Sequence, residues 1–272
     1  MPELAEVELY RRVWDAGIGE RVLAVELHAG KRIFRGTDTR ALTRALTGAV
    51  LRGSEAHGKQ MLFRFEPDAW LGLHLGMTGK LRVDGKGARA ALRGLRTDAG
   101  DGRRHDHLVL AQRDRRLVFA DARLFGRVRF HQGAGPPDWW TSLPPGVLSR
   151  RFTEAWVAEF LRRRARSPIK PVLLMQERFP GIGNWMADEI LWRAGIHPRT
   201  PAGALPPEAV RALRREIRAV ARGALRALRD TERRLPARWL FHQRWGDGGK
   251  CPRTGAPLVR ETIGGRTTCW SP

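Results

Sequence analysis

The sequence comprises 272 residues, and its 50 Lys and Arg against 28 Asp and Glu give a formal net charge of +22. This length allows two domains of moderate size, and a hydrophobic content of 42% with ten Trp and ten Phe excludes a disordered basic tail. No apolar run has the length that a bilayer requires, and the acidic N-terminus is unlike a signal peptide. Two cysteines are too few for a disulfide framework. We therefore expect a folded protein of the reducing cytoplasm.

The positive charge favours a polyanionic partner, because its field attracts phosphate backbones. Nucleic acid is the leading candidate. An anionic membrane surface is the weaker one, since no lipidation signal or basic amphipathic N-terminal helix supports it. A GC-rich genome also enriches Arg whatever the function, so charge alone does not decide the partner.

The N-terminal half is predicted to form one helix followed by strands. Leu4, Val7, Tyr10 and Val13 recur at helical spacing before a pair of glycines. Short segments separated by turn residues then predict a sandwich or barrel. The predicted strands cover residues 21–28, 50–65, 70–75, 107–112, 117–122 and 127–130. The Gly- and Arg-rich residues 84–104 are predicted to form a surface loop.

The C-terminal half has helical patterns. A stretch rich in Pro, Gly and Trp marks a domain boundary, and a strand-like segment around Gly264 and Gly265 predicts a β-hairpin. The predicted helices cover residues 152–164, 169–177, 185–194 and 207–228, the last with an apolar stripe that we interpret as core. The predicted organisation is a domain at 1–132, a linker at 133–149, a helical domain at 150–240 and a finger at 241–272.

The first residues can supply a nucleophile. Removal of the initiator methionine before Pro2 leaves a secondary α-amine, and α-amines have a reference pKa of about 7.7–8.0. Such an amine can attack a sugar C1′ to form a Schiff base, and Glu3 beside it can move protons. On these residues alone, an ordinary helix start is the favoured interpretation.

A second motif, FPGIGNW at residues 179–185, has features of an anion-binding site. Gly181 and Gly183 permit a tight turn, and Asn184 is predicted to cap the helix that follows. Backbone N–H groups at such a turn and helix start can hold one DNA phosphate.

Eight segments in order give the chain a resemblance to the Fpg/Nei family of formamidopyrimidine-DNA glycosylases and endonuclease VIII proteins. They are PELAEVE, HGKQ, HLGMTGKL, DARLFG, IKP, GIGNWMADEI, GIHP and GGRTT. The resemblance implies an α+β fold: an N-terminal β-sandwich with a leading helix, then a helical domain with a helix–two-turn–helix and a β-hairpin finger. It implies a cofactor-free base-excision-repair enzyme, both DNA glycosylase and abasic-site lyase, acting on damaged or abasic double-stranded DNA in the bacterial cytoplasm. We expect a monomer, because the sequence shows no exposed heptad or dimer helix.

By this resemblance Pro2 attacks C1′ of a flipped-out damaged nucleotide, Glu3 acts in ring opening and proton transfer, and β,δ-elimination follows. Flipping costs a few kcal/mol and least at a damaged base. The resemblance assigns DNA-contacting or substrate-steering roles to further residues. Lys59, Lys170 and Asn184 would contact phosphates, Arg266 would clamp the backbone, and Glu6 would steer the sugar or base.

The resemblance also assigns Met77, Arg123 and Phe125 to the gap that flipping leaves in the duplex. Without it, Met77 and Phe125 would be interpreted as core residues. Glu189 is expected to support the helix–two-turn–helix structurally.

The finger departs from the zinc-bearing members, which carry two C-x-x-C pairs. Here those positions hold Cys251 with Thr254 and Cys269 with Pro272, and structural zinc needs four Cys or His ligands. His242 lies before the hairpin. We therefore expect no zinc, a similarity to the zincless-finger branch, and a hairpin held by packing through tryptophans 245 and 270.

The connection between the last long helix and the finger is short, at residues 230–238. Members that process 8-oxoguanine well have a longer loop there, so formamidopyrimidines, oxidised pyrimidines or hydantoins are expected as better substrates. Ala122 and Leu124 replace the usual residues of DARLFG and leave the opposite-base preference open. Two alternatives also stay open: a non-catalytic DNA- or RNA-binding protein of this fold, and a lyase for abasic sites only.

Overall fold

A computed structural model describes residues 1–85, 104–228 and 235–272. Most of the predicted loop at 84–104 and the first part of the connection at 230–238 lie outside the described residues. The chain divides into two compact units. The first contains residues 1–2 and 6–143, and the second contains residues 3–5 and 144–272. The predicted linker therefore contributes residues 133–143 to the first unit.

Two four-stranded antiparallel sheets form the first unit. The strands are β1 Ala24–Leu27, β2 Val50–His57, β3 Gln60–Glu66, β4 Ala69–His74, β5 Lys80–Gly85, β6 Asp106–Ala111, β7 Arg115–Ala120 and β8 Arg127–Gln132. Their orders in the two sheets are β1-β6-β7-β5 and β2-β3-β4-β8. The helices with residues in this unit are α1 Leu4–Val13, α2 Thr39–Leu46 and α3 Asp138–Thr141.

Apolar side chains from both sheets meet in one core, as in a β-sandwich. Phe63 of one sheet and Phe119 of the other are fully buried, and Trp14 packs 4.9 Å from Phe63 between ring centroids. Gly72 lies on β4 where the Trp139 ring approaches to 2.3 Å from the position of a Cβ. Only glycine fits there, which explains a glycine within a buried strand.

Four features of this unit differ from the sequence predictions. The segment predicted as one strand at 50–65 is a hairpin that turns at Gly58, where φ is +60°. Strand β5 and helices α2 and α3 were not predicted. Helix α2 begins after Asp38, whose carboxylate accepts hydrogen bonds from the backbone of Arg40 and Ala41 at 2.9 Å. A capping Asp before an apolar period is a sequence signal that predicts this helix.

The second unit is helical and ends in a hairpin. Its elements are α4 Glu154–Arg163, α5 Ile169–Leu173, α6 Asn184–Ala194, α7 Pro207–Ala227, β9 Val259–Ile263 and β10 Arg266–Trp270. The apolar stripe of α7 is buried, as predicted, and Gly264 and Gly265 form the hairpin turn with positive φ. Helix α5 is shorter than the predicted 169–177. In the described part of the chain, no helix combines the length and apolar character of a membrane span.

Candidate active site and nucleic-acid interface

The carboxylate of Glu3 lies against the first turn of α6. Its oxygens accept hydrogen bonds from the backbone N–H groups of Gly183 at 3.0 Å, Trp185 at 3.0 Å and Met186 at 3.1 Å. The side chain belongs to the second unit and is only 3% exposed. Ionised carboxylates are favoured where helix N–H groups have no intrahelical partner. The first turn of α6 therefore fixes the orientation of this carboxylate.

This arrangement corrects the prediction that Asn184 caps α6. The N-cap is Gly183, and no side chain at that position closes the helix. Asn184 is already the first helical residue, and the capping acceptor comes from Glu3. A Cβ at Gly183 would lie 2.2 Å from Cδ of Glu3, so glycine at this position makes room for the carboxylate.

Lys170 is fully buried beside the same turn. Its Nζ donates to the backbone oxygen of Asn184 at 2.9 Å and pairs with the carboxylate of Asp188. Burial lowers the pKa of Lys170, and the charge of Asp188 opposes that effect. The ammonium thus braces the start of α6 from inside and is not presented at the surface.

Arg266 begins β10 directly after the two turn glycines and is exposed. The next residue, Thr267, accepts a hydrogen bond through its backbone oxygen from Nδ2 of Asn184 at 2.7 Å. Arg266 therefore lies beside the hairpin turn. The second unit thus brings Glu3, Lys170 and Asn184 together and bonds Asn184 to the strand that carries Arg266.

In the first unit, basic side chains surround His74 at the end of β4. The imidazole Nδ1 accepts a hydrogen bond from Gly76 N at 3.0 Å. Burial, together with the charges of Lys59, Arg35 and Arg129, lowers the pKa of His74 to about 4. Lys59 itself follows the turn glycine of the β2–β3 hairpin and is 7% exposed. Such a group of positive charges favours binding of an anion.

Arg123 and Phe125 lie in a loop between β7 and β8 that Asp121 holds. The Asp121 carboxylate accepts from Thr78 Oγ1 at 2.6 Å, Gly126 N at 2.7 Å and Arg123 N at 3.3 Å. The Arg123 guanidinium carbon lies 4.9 Å from the centroid of the Phe125 ring. Phe125 is 41% exposed. The loop therefore presents an aromatic ring and a stacked cation to solvent.

Met77 lies beside this loop and is 39% exposed. A Cβ on its neighbour Gly76, whose φ is +60°, would lie 2.4 Å from the carbonyl carbon of Phe125. The structure thus brings Met77, Arg123 and Phe125 into one patch of the first unit. Met77 and Phe125 are surface residues. Their apolar side chains alone predict core positions, and that prediction is wrong.

Glu6 lies in the first turn of α1, within the first unit. Burial and the negative charge of Glu6 together raise the pKa of Tyr10 to about 12. Pro2 is half-buried and directly precedes Glu3 in the chain.

Comparison with known proteins identifies the family. The N-terminal domain model of formamidopyrimidine-DNA glycosylase matches residues 1–128, and the H2TH domain model of the same protein matches residues 143–234. A formamidopyrimidine-DNA glycosylase from Roseiflexus sp. (strain RS-1) is 34% identical over the whole of this chain and 98% of its own length. The chain belongs to the formamidopyrimidine-DNA glycosylase family. It is therefore an enzyme of the DNA-glycosylase class that serves base-excision repair.

Solved structures of the family agree in fold over nearly the whole molecule. A mutant of the Lactococcus lactis enzyme in complex with Fapy-dG-containing DNA is similar with a TM-score of 0.84 and 28% identity, covering 100% of this chain and 98% of that one. A MutM protein in complex with DNA containing carbocyclic 8-oxo-G has a TM-score of 0.82 and 29% identity, with the same coverage. These matches confirm the α+β fold with N-terminal sheets and a helical H2TH domain.

The finger residues do not fit the zinc site of the zinc-bearing family members. Cys251 and Cys269 are buried free thiols. Burial alone would raise the pKa of Cys251, but hydrogen bonds from Ser271, Thr254 and Trp192 lower it to about 6. Burial raises the pKa of Cys269 to about 11. Across residues 1–85, 104–228 and 235–272, no three His, Cys, Asp or Glu side chains are grouped to hold a metal.

Several supporting residues escaped sequence reasoning. Asp121 lies within DARLFG, one of the segments on which the family resemblance is based. The motif marks its place in the sequence but does not indicate that its carboxylate holds the loop. Asp188 lies within GIGNWMADEI in the same way. Arg35 and Arg129 had no local signal, because only the fold brings them near His74. Glu189 is buried on α6, where its carboxylate accepts from Arg193 Nε at 2.7 Å and from Phe241 N at 3.2 Å, contacts that support the fold.

Proposed function

We propose that this enzyme is a bifunctional DNA glycosylase and abasic-site lyase that works through a Schiff base on Pro2. The observation that carries the proposal is the Glu3 carboxylate, held by three backbone N–H groups at the start of α6, directly after Pro2 in the chain. An immobilised carboxylate next to a secondary amine is the pair that this chemistry requires. A protein that only binds DNA has no chemical need for that pair.

The reaction begins when the Pro2 nitrogen attacks C1′ of the damaged nucleotide. The glycosidic bond breaks and its electron pair leaves with the base, which gains a proton. Glu3 assists opening of the sugar ring by moving a proton to the ring oxygen, and an iminium forms between C1′ and Pro2. Loss of a C2′ proton then expels the 3′ phosphate, and loss of a C4′ proton expels the 5′ phosphate. Hydrolysis of the Schiff base restores the amine.

The remaining site residues hold the DNA. Lys59, within its group of positive charges, and Arg266, exposed next to the hairpin turn, contact backbone phosphates. Asn184 contacts a phosphate at the helix start, and Lys170 acts from beneath by bracing the Asn184 backbone. Glu6 orients the sugar or base. Phosphate contacts of this kind give binding that weakens with salt.

Phe125, Met77 and Arg123 occupy the space that the flipped nucleotide leaves. Phe125 and Met77 are apolar, exposed and in one patch, and an exposed apolar patch is typical of an interaction site. Apolar side chains inserted between base steps unstack and kink a duplex. Arg123 then faces the unpaired base while it stacks on Phe125.

The substrates are formamidopyrimidines, oxidised pyrimidines or hydantoins, with 8-oxoguanine disfavoured. Support comes from the short connection at residues 230–238 and from the similarity to the Lactococcus lactis enzyme bound to Fapy-dG DNA. The finger is zincless, in keeping with a donor set of two thiols. The enzyme acts in the bacterial cytoplasm, where chromosomal DNA is accessible.

The test uses duplexes that contain one lesion each: Fapy-G, thymine glycol, a hydantoin, 8-oxoguanine or an abasic site. Single-turnover cleavage of strands labelled at either end separates base loss, β-elimination and δ-elimination. The proposal predicts δ-products from the first three lesions and at least tenfold slower release of 8-oxoguanine. Cleavage of the abasic duplex alone would show a lyase without base excision. Binding without cleavage of any duplex would show a binding protein.

A further inference from the structure

One face of α6 carries three polar side chains that all bond to the finger. Asn184, Asp188 and Trp192 are spaced four residues apart, so they lie on successive turns of the same face. Asn184 Nδ2 donates to Thr267 O at 2.7 Å, and Trp192 Nε1 donates to Cys251 Sγ at 3.4 Å. The finger, residues 241–272, is thus bonded to the helix at its first and third turns.

Asp188 forms the middle connection and is 1% exposed. Its Oδ2 accepts from Arg244 Nε at 3.0 Å and from the backbone N–H of Cys269 at 3.2 Å. Its Oδ1 pairs with the ammonium of Lys170. Arg244 is itself 4% exposed and belongs to the finger. Two buried cations and a backbone donor therefore meet on one carboxylate.

The energetics of such a cluster make it sensitive to the loss of one member. A buried ion pair need not add net stability, but removal of one partner leaves an uncompensated charge away from water. Loss of Arg244 would leave Lys170 as the one described cation paired with Asp188 and would weaken the connection to the finger. Among the described residues, the Cys269 N–H, two residues beyond Thr267 on β10, would then remain as the only finger donor to Asp188.

Arg266 starts the strand that these bonds fix. Thr267 and Cys269, the first and third residues after it, bond through their backbones to Asn184 and Asp188. The finger has two thiols and does not fit a zinc ion, so some other connection must hold this strand. At the opposite end of β10, the ring centroids of Trp270 and His197 lie 4.2 Å apart. Trp245, the other tryptophan expected to pack the hairpin, is 59% exposed.

We propose that Asp188 and Arg244 are positioning residues that set the place of Arg266 on the DNA backbone. In this finger, the buried Asp188–Arg244 pair holds the hairpin strand in place, as a zinc ion does in the zinc-bearing members. The inference rests on the proposed function, because it requires Arg266 to contact DNA. Helix α6 then serves both ends of the site: its first turn holds Glu3, and its polar face holds the strand of Arg266.

A double-mutant cycle tests this proposal. The Kd is measured for a duplex with a reduced, uncleavable abasic site and for the same duplex undamaged, using the full-length enzyme. Arg244→Met is made in the wild-type and Arg266→Ala backgrounds. Arg260→Met is the control, because it removes the same charge from the same finger but breaks a pair with the exposed Asp247. Folding is checked by circular dichroism and by stoichiometric titration of binding sites.

The proposal predicts about tenfold weaker binding to the abasic duplex for Arg244→Met in the wild-type background and less than twofold in the Arg266→Ala background. Arg260→Met should have the same small effect in both. Arg244→Lys, which keeps the charge, should restore part of the affinity, and it replaces Arg244→Met in the cycle if that variant does not fold. Equal effects of Arg244→Met in both backgrounds would overturn the proposal, since they would show that Arg244 does not act through Arg266.

Dialysis of the wild-type enzyme against a zinc chelator should leave the Kd unchanged. A loss of affinity that added zinc restores would overturn the proposal by showing that a metal holds the finger. If wild type does not prefer the abasic duplex over the undamaged one, the proposed function fails. If that preference is present and the cycle is additive, only the positioning role fails.

Discussion

Glu3 Oε1 accepts a hydrogen bond from the backbone N–H of Trp185 at 3.0 Å, across 182 positions of the chain. This contact joins the residue after the proposed nucleophile to the first turn of α6. Because Gly183 and Met186 donate to the other oxygen of the same carboxylate, Glu3 has little freedom to rotate. The geometry of Glu3 therefore depends on a turn that lies far away in sequence.

Gly183→Ala should disrupt the site by displacing Glu3. The φ of Gly183 is −124°, a conformation that other residues adopt, but the new Cβ would lie 2.2 Å from Glu3 Cδ. The carboxylate must then leave its three donors. We expect base excision to fall about 100-fold and the unfolding free energy to drop by about 1–3 kcal/mol. The measurements are single-turnover excision and urea unfolding.

Gly246→Ala is the matched control, because nothing lies within 4 Å of the Cβ that it adds. It should leave excision within twofold of wild type. Unchanged excision in Gly183→Ala would mean that the position of Glu3 does not matter for the reaction.

Glu3→Gln keeps the shape of the side chain but removes its charge and its proton-transfer capacity. One of the three N–H donors must then face an amide N–H₂ group. We expect excision of a damaged base to fall by about 10²–10⁴, the range for a general acid or base. Pre-formed abasic sites already lack the base, so their cleavage should fall less. The comparison is made on matched damaged and abasic duplexes, and equal losses on both would contradict a role of Glu3 in base release.

Phe125→Ala should separate DNA binding from stability. Phe125 is 41% exposed and stacks on Arg123, so its loss should change the unfolding free energy by about 0.5 kcal/mol or less. Affinity for a damaged duplex should nonetheless fall about tenfold, because the ring no longer fills the gap between base steps. Phe119→Ala is the contrast, since Phe119 is fully buried and its truncation should cost about 3–5 kcal/mol. A Phe125→Ala variant with wild-type affinity would contradict the wedge role.

His74 should make stability depend on pH. Its pKa of about 4 in the folded protein lies below the unfolded reference of about 6.5, so the unfolded chain binds the proton more readily. The contribution of this pKa difference to the free energy of unfolding is therefore fully present above about pH 6.5. It is lost as the pH falls from there towards 4. Between pH 7.5 and 5.0 it amounts to about 2 kcal/mol.

Urea unfolding of wild type and His74→Asn at these two pH values checks the prediction. The variant should lose about 2 kcal/mol less than wild type over the interval. Burial also lowers the pKa of His107, so part of the pH dependence should persist in the variant. An identical decline in both proteins would contradict the burial of a neutral imidazole at position 74.

Local patterns in the sequence predicted the elements but not their connections. The stripe of α7 and the Gly264–Gly265 hairpin were recognisable because period and turn chemistry are local properties. The cap of α6 was assigned to Asn184 because Glu3 lies 180 positions away from Gly183. A hydrogen-bond acceptor that lies far away in the sequence cannot be recognised from the local pattern around a helix start.

The exposed residues of the site were also beyond local reasoning. Met77 and Phe125 have the composition of core residues, and only the family resemblance assigned them to DNA. The strained backbone of Leu124, with φ of +57°, accompanies the outward position of Phe125, and a sequence does not display such strain. Lys170 shows the opposite case: a lysine predicted at the surface is buried against Asp188.

The most direct test of the account is borohydride trapping on a duplex with one abasic site. Wild type with its initiator methionine removed is compared with Pro2→Gly and with a protein whose N-terminus carries a tag. The account predicts a stable protein–DNA adduct for wild type, a weaker or shifted one for Pro2→Gly and none for the tagged protein. Absence of an adduct from folded, correctly processed wild type that still binds the duplex would contradict the Schiff-base mechanism.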